Sequence, residues 1–244
     1  GFYLPFSNDA LATSFTDSSP SGHTVTAAGG AKTDNGASVF GTSSAYFDNS
    51  AYLELPDSDD FNFSGGESFC IEFWMNSEEW TSTDFGWTYI YSHSWSGNGI
   101  EFGTYQDGTV IAWLGSGGWF TNASNSNSVT LQSSTVLSTN TWHHIALTYN
   151  GTVYTLYVDG VAEDTFPGNA YAYSAASANL YIGTYGQSTT ISTFYGYLDE
   201  LRVSKGKVRY SGSQFDLPTK QFGRPDLKLK DGSGTYTIKL KQIN

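Results

Sequence analysis

FCIEFWM, residues 69–75, is the stretch that decides the fold of this chain. Successive side chains of an extended strand point to opposite faces. Its alternation therefore sets Phe69, Ile71, Phe73 and Met75 on one side and Cys70, Glu72 and Trp74 on the other. The same period of two recurs outward along the chain. Ala51–Leu55 places Leu53 and Leu55 together, and His144–Tyr149, Tyr154–Val158, Leu180–Tyr185 and Tyr195–Val203 alternate likewise. Helical spacing hardly appears.

Dipeptides suited to tight hairpins stand between these runs: Asp107-Gly108, Asn150-Gly151, Asp159-Gly160 and Asp231-Gly232. Such pairs tolerate the positive φ angles of turns that match strand twist. Many short strands with regular turn signals predict an all-β sandwich or barrel. Residues 115–140, rich in Ser, Asn, Thr and Gly, read as one long connection of the kind that is often functional. The alternation breaks around Gln214–Pro225 and resumes over Leu227–Ile243, where leucines face one way and Lys228, Lys230, Lys239 and Lys241 the other. Residues 1–220 are thus expected to form the sandwich and 221–244 a basic C-terminal β-hairpin. A strand pair completing the sandwich edge, with lysines guarding it, fits the tail equally well.

Composition agrees with one large β domain. The chain has 244 residues, 39% hydrophobic and 16% aromatic, enough to build a core, and this excludes a disordered chain. Cys70 is the only cysteine, so no internal disulfide and no cysteine-based zinc site is expected. No apolar run approaches the length of a membrane helix, so no membrane insertion is expected. The net charge of −12 is unevenly spread. Up to Leu201 there are twenty acidic residues and one basic residue, Lys32; the other ten basic residues lie between Arg202 and Lys241. Nucleic acid would be repelled by most of such a surface. Neutral sugars, cations or a basic partner suit it better.

Hydrolysis of glycosides usually requires two carboxylates held at a fixed separation. Glu72 has no acid at the next position on its face, Glu78 and Glu79 are adjacent and point apart, and Asp57, Asp59 and Asp60 follow Pro56 in a turn. His143 and His144 lack a nucleophile in a recognisable context and read as packing residues. The chain is not expected to be an enzyme.

FCIEFWM, WHHIALTY (142–149), LYVDG (156–160), LYIG (180–183) and GYLDELRV (196–203) occur in an order that resembles the concanavalin A-like lectin/glucanase superfamily. The likeness is to its laminin G-like, pentraxin-related branch and covers about residues 1–220. It implies a two-sheet antiparallel jelly-roll sandwich. A narrower likeness runs through FTDSSPSG (15–22), SAYFDNSAYLEL (44–55), PDSDDFNF (56–63) and RVSKGKVRY (202–210). It is similar to modules of bacteriophage tail fibres and bacterial surface proteins, and implies display outside the cell or on a virion, in a homo-oligomer or beside neighbouring appendage subunits. The Glu-x-Asp-x-Glu pattern of the glucanases is missing.

The resemblance also implies sites. The matching late-strand aspartate in relatives often ligates a structural calcium, which makes Asp199 a candidate, with Asp17 and Asp9 as partners from the N-terminal segment. Asn98 lies near an amide ligand of the pentraxin type, but TYGQST (184–189) lacks the acids that should follow. Residues 80–120 should supply the ligand-facing side. Sugar binding needs flat aromatic surfaces and polar groups for hydroxyls. Trp80, Trp87, Trp95 and Trp119, with His93 and Asn98, are the expected carbohydrate-binding residues, the tryptophans exposed among polar neighbours. Trp74, Trp113 and Trp142 read as packing residues. The expected function is non-catalytic recognition of a cell-surface glycan. The alternatives are a structural assembly module using the same aromatics and the basic tail, and a glycoside hydrolase whose acids meet from distant segments.

Overall fold

The structure, a computed structural model, describes residues 1–7, 11–63, 66–80, 86–95, 98–115, 128–168, 178–186, 192–222, 227–231 and 234–238. The side chains of Trp95, Asn98 and the last two strands fall outside the described set. The early strands are β1 (Phe2–Leu4), β2 (Thr26–Ala28), β3 (Lys32–Asp34), β4 (Ser44–Asp48) and β5 (Tyr52–Leu55). The middle of the chain supplies β6 (Phe69–Ser77), β7 (Trp87–Trp95), β8 (Asn98–Tyr105), β9 (Thr109–Gly115) and β10 (Ser128–Val136). Next come β11 (His143–Tyr149), β12 (Val153–Val158), β13 (Val161–Pro167), β14 (Leu180–Ile182) and β15 (Tyr195–Lys205). The tail holds β16 (Leu227–Asp231) and β17 (Gly234–Ile238).

Two antiparallel sheets form an open sandwich of the jelly-roll kind. The eight-stranded sheet runs β13-β12-β11-β6-β15-β4-β3, with β1 also paired to β15; the seven-stranded sheet runs β10-β9-β8-β7-β14-β5-β2. FCIEFWM lies at the centre of the first sheet, between β11 and β15. Phe69, Ile71, Phe73 and Met75 enter the core between the sheets, and Phe73 meets Phe102 of the facing sheet edge-on at 5.3 Å. The opposite face of β6 is buried too: Arg209 and Tyr210 lie on Glu72, and Phe40 packs edge-on against Trp74.

The hairpin dipeptides join the strands expected of them. Only Asp159-Gly160 has positive φ at both residues, 48° and 81°, whereas in the other described pairs the glycine alone does. The long connection expected over 115–140 is corrected in its second half, where Ser128–Val136 forms the edge strand β10 with Val129 and Leu131 buried. Its serines and threonines concealed a short period-2 pattern. The tail strands pair with each other, Leu227 opposite Ile238, as a separate two-stranded sheet.

A bulge in β15 sets which side chains reach its outer face. Pairing with β6 shifts between Asp199 and Arg202, and Glu200 adopts φ 54°. A bulge inserts one residue and re-aims its neighbours. Leu198, Leu201 and Val203 therefore face the core, while Asp199 joins Tyr197 on the outer face beside Trp74. Strict alternation along Tyr195–Val203 would put Tyr197, Asp199, Leu201 and Val203 on one apolar side, and the bulge separates the first two from the last two. Close strand contact also fixes Gly196, at φ 142°, where a Cβ would come 2.2 Å from the Asn76 carbonyl oxygen. Gly196→Ala is expected to cost about 2 kcal/mol or more through strain and overpacking, measurable by urea unfolding.

Candidate functional site

The outer face of the seven-stranded sheet carries a second apolar cluster apart from the core: Trp87, Tyr89, Ile111 and Tyr185, with Tyr105 against it. Register explains the cleft at its centre. Tyr89, Gly103 and Ile111 stand in one row across β7, β8 and β9, so the missing side chain of Gly103 leaves a hole. Ser92, Glu101 and Trp113 stand in the next row. The hollow itself is small, about 10 Å³ or room for roughly one water molecule, and is walled by Trp87, Tyr89, Glu101, Gly103, Ile111 and Trp113. Tyr89 stacks on Tyr185 at 4.8 Å, and Trp87 meets Tyr105 at 5.7 Å. The Trp113 indole lies along its strand over Gly115, where a Cβ would approach it to 2.4 Å.

Glu101 is the one acid lining this cleft, and it is 6% exposed. Its Oε1 accepts a hydrogen bond from the Ser94 hydroxyl at 2.5 Å. Burial pushes its pKa up to about 7, and the Ser94 hydrogen bond offsets only part of that rise. Buried acids with raised pKa in aromatic clefts mark candidate sites. The cleft offers ring faces, a hydroxyl and a carboxyl that changes charge near neutrality. It does not offer the paired carboxylates of a glycosidase.

Of the six expected ligand residues, the structure brings Trp87 to this cleft. It is 8% exposed, which corrects the expectation of an exposed ring. Trp80 packs against the main core instead. His93 sits on the core side of β7, its ring 5.6 Å from Phe61 and its Nε2 3.7 Å from Asp57, with burial holding its pKa down. Trp95 and Asn98 face each other across the end of the β7–β8 hairpin, their side chains outside the described residues. Trp119 lies outside them altogether. Glu101, Tyr89, Tyr185 and Trp113 are not singled out by sequence. The available signal for Glu101 is a lone acid between Ile100 and Phe102, where alternation points it away from the core.

Of the expected calcium ligands, Asp17 and Asp199 lie among the described residues. Asp17 accepts from the backbone N–H groups of Tyr3, Ser19 and His23 and from the Ser19 hydroxyl, so both its oxygens are engaged. Asp199 is fully buried; its Oδ2 accepts from the backbone N–H groups of Val39 and Phe40, while Oδ1 lacks a partner. Burial pushes its pKa up to about 8, and the adjacent Glu200 charge adds to the rise. Asp9 lies outside the described residues. Among the described residues no three His, Cys, Asp or Glu side chains are arranged to hold a metal.

A further ionisable group sits on the outer face of the eight-stranded sheet. Glu72, fully buried, accepts from Arg202 Nε at 2.8 Å, Arg202 Nη2 at 2.6 Å and the Tyr210 hydroxyl at 2.5 Å. Both Arg202 bonds go to Oε1, and His144 Nε2 lies 3.4 Å from Oε2, the oxygen that accepts from Tyr210. The His144 ring, fully buried as a packing residue, contacts Trp74, Tyr210, Phe215 and Phe222. His143 instead bonds Asp159 at 2.7 Å. The segment 206–222 is thus a strap across half of this face.

Known proteins agree with the architecture. Domain 4 of AbnA, a GH43 extracellular arabinanase from Geobacillus stearothermophilus solved with arabinotriose, is 20% identical with a TM-score of 0.61, covering 88% of this chain and 93% of that one. The binding domain of Paraclostridial Mosquitocidal Protein 1 is 16% identical with a TM-score of 0.62, and the botulinum neurotoxin serotype G binding domain 14% with 0.61. The chain covers 50% and 47% of those two domains, respectively. No curated protein sequence matches the chain. These likenesses show the fold. Residues 47–209 match a laminin G family model, Laminin_G_3, and the chain therefore belongs to the concanavalin A-like lectin/glucanases superfamily.

Proposed function

We propose that this chain is a non-catalytic glycan-binding module, displayed on a virion appendage or cell surface, that holds sugar at the Glu101 cleft. The observation that carries the reading is one buried carboxyl, with pKa near 7, among the rings of Trp87, Tyr89 and Trp113. Aromatic faces pack against the apolar side of a sugar ring, and Glu101 with Ser94 can exchange hydrogen bonds with hydroxyls. Hydrolysis would need a second carboxylate in the same cleft. The similarity to toxin binding domains and to an arabinanase domain solved with arabinotriose supports a binding role. No described helix is long and apolar enough to cross a membrane.

Calorimetric titration with arabinotriose and a panel of oligosaccharides tests this. Trp87→Phe should weaken binding about tenfold, roughly 1.4 kcal/mol, with circular dichroism confirming that the variant stays folded at the titration temperature. Glu101 is neutral below about pH 7 and ionised above it. If its carboxylate accepts from sugar hydroxyls, affinity rises as pH passes from 6 to 8. Glu101→Gln should flatten that profile. Well-folded protein that binds no glycan, or variants that bind as wild type, would remove the cleft from the reading.

A further inference from the structure

The strap covers only part of the outer face of the eight-stranded sheet. The Val39–Phe40 segment lies on Asp199 and Trp74 of the same face; beyond both, β3, β4, β15 and β6 present a row of half-buried side chains. Register sets Lys32 beside Tyr46, Tyr46 beside Tyr197, and Tyr197 beside Asn76. Tyr195 and Trp142 flank this row. All four rings are half-buried. They form a continuous series: Tyr195 to Tyr46 at 6.3 Å, Tyr46 to Tyr197 at 5.0 Å, and Tyr197 to Trp142 at 6.5 Å.

A contiguous aromatic patch left open to water on a sheet face is costly, and such patches usually mark binding surfaces. On the covered half of the same face, His144 packs against Tyr210, Phe215 and Phe222 of the strap, and Trp74 against Phe40. The contrast lies within one sheet. Polar groups border the open half: the Asn76 amide, the carboxylates of Asp34, Asp48 and Glu78, and the Lys32 ammonium 5.6 Å over Tyr46. Asn76 Oδ1 has no hydrogen-bond donor. Hydrogen bonding with the Glu78 carboxylate and the Tyr46 hydroxyl raises the Tyr195 pKa and ties the phenol to the edge of the patch.

We propose that this tyrosine strip is a second glycan-binding surface that takes neutral oligosaccharide chains. It lies on the other sheet from the Glu101 cleft and does not depend on it. Half-exposed rings in series suit consecutive sugar units, and the alternation of phenols, amide and carboxylates supplies both donors and acceptors for hydroxyls. Charge decides the ligand class: three carboxylates against one ammonium repel sulfated, sialylated or uronic-acid chains. Two faces on one sandwich would let a displayed module bind a glycan coat bivalently, which raises avidity without new contacts.

The full chain is titrated with cellohexaose, xylohexaose, maltohexaose and a heparin hexasaccharide. Four proteins are compared: wild type, the strip variant Tyr197→Ala/Trp142→Ala, the cleft variant Trp87→Phe/Glu101→Gln, and their combination. At least one neutral hexasaccharide should bind wild type and the cleft variant, and lose at least tenfold in affinity for the strip variant. Heparin hexasaccharide should not bind. Circular dichroism and melting temperature confirm folding; Tyr195→Ser serves as a milder second variant should the double substitution unfold.

Strip variants that bind every neutral probe like wild type overturn the proposal, even if the cleft binds sugar. Binding lost in the cleft variant alone leaves the cleft and removes the strip. Wild type that binds no neutral probe overturns it as well. So does an oligomer that the strip variant dissociates in sedimentation, which would make this face a self-interface.

Discussion

Glu72→Ala is expected to cost about 3–5 kcal/mol, the usual penalty for removing one partner of a buried ion pair. Glu72 is fully buried at the centre of the eight-stranded sheet, and Arg202, its bidentate partner, is 14% exposed. Without the carboxylate, the guanidinium loses its hydrogen-bonded counter-charge under the strap, and Arg209, 3.5 Å from Glu72, loses the same partner. The Tyr210 hydroxyl loses its acceptor, so the strap is loosened where it crosses the sheet. Urea unfolding checks the magnitude, and proteolysis near residues 206–222 checks the location.

The pH dependence of this effect has a definite sign. Burial raises the Glu72 pKa, but the neighbouring His144, the Arg202 charge and the Tyr210 hydroxyl outweigh it and hold the pKa below the usual 4.5. A group with a depressed folded pKa contributes stability above its unfolded value, and loses it as pH falls through the folded one. The advantage of wild type over Glu72→Gln should therefore be full at pH 7 and shrink below pH 4.5. A difference that stays constant from pH 7 to pH 3 would show that charge is not the cause.

Asp199→Asn is the second large effect, with the opposite pH behaviour. The folded pKa is raised from 3.8 to about 8, so folding favours the neutral carboxyl. That stability is complete below the unfolded pKa and disappears as pH rises through the folded one. A shift of this size corresponds to about 6 kcal/mol at roughly 1.4 kcal/mol per unit, an upper bound for a single buried acid. Asparagine keeps an oxygen for the Val39 and Phe40 amides and places an uncharged NH₂ where Oδ1 has no partner. In chelator, the variant should melt near wild type at pH 4 and well above it at pH 9. Equal melting at both values would sink the argument. Repeating the melt in calcium tests the ligand role expected from sequence: stabilisation of wild type but not of Asp199→Asn would place a cation on Oδ1.

Much of the candidate site is hidden in the sequence for a physical reason. Polar and glycine neighbours suggest exposure for Trp87 and Trp95, yet Trp87 is buried by Tyr89 and Tyr105. Exposure depends on what other strands place across a ring. Trp113, a packing residue by its strand pattern, walls the cleft because Gly115 lets its indole lie flat along the strand. The open strip of Tyr46, Tyr195, Tyr197 and Trp142 comes from three separate segments. Linear inspection cannot unite them, since register across β4 and β15 sets their spacing.

The sequence by itself determined the all-β class, the inward face of residues 69–75 and the hairpin turns. Alternation and turn chemistry are local properties, written into consecutive residues. Only the tertiary structure decided which faces stay open. Glu72, visible in FCIEFWM as an acid pointing away from the core, is buried because a strap more than a hundred residues later crosses it. Asp199 left the core side because one bulge at Glu200 reversed the parity of its strand. Parity and coverage are set by pairing between distant segments, and no single stretch of chain encodes them.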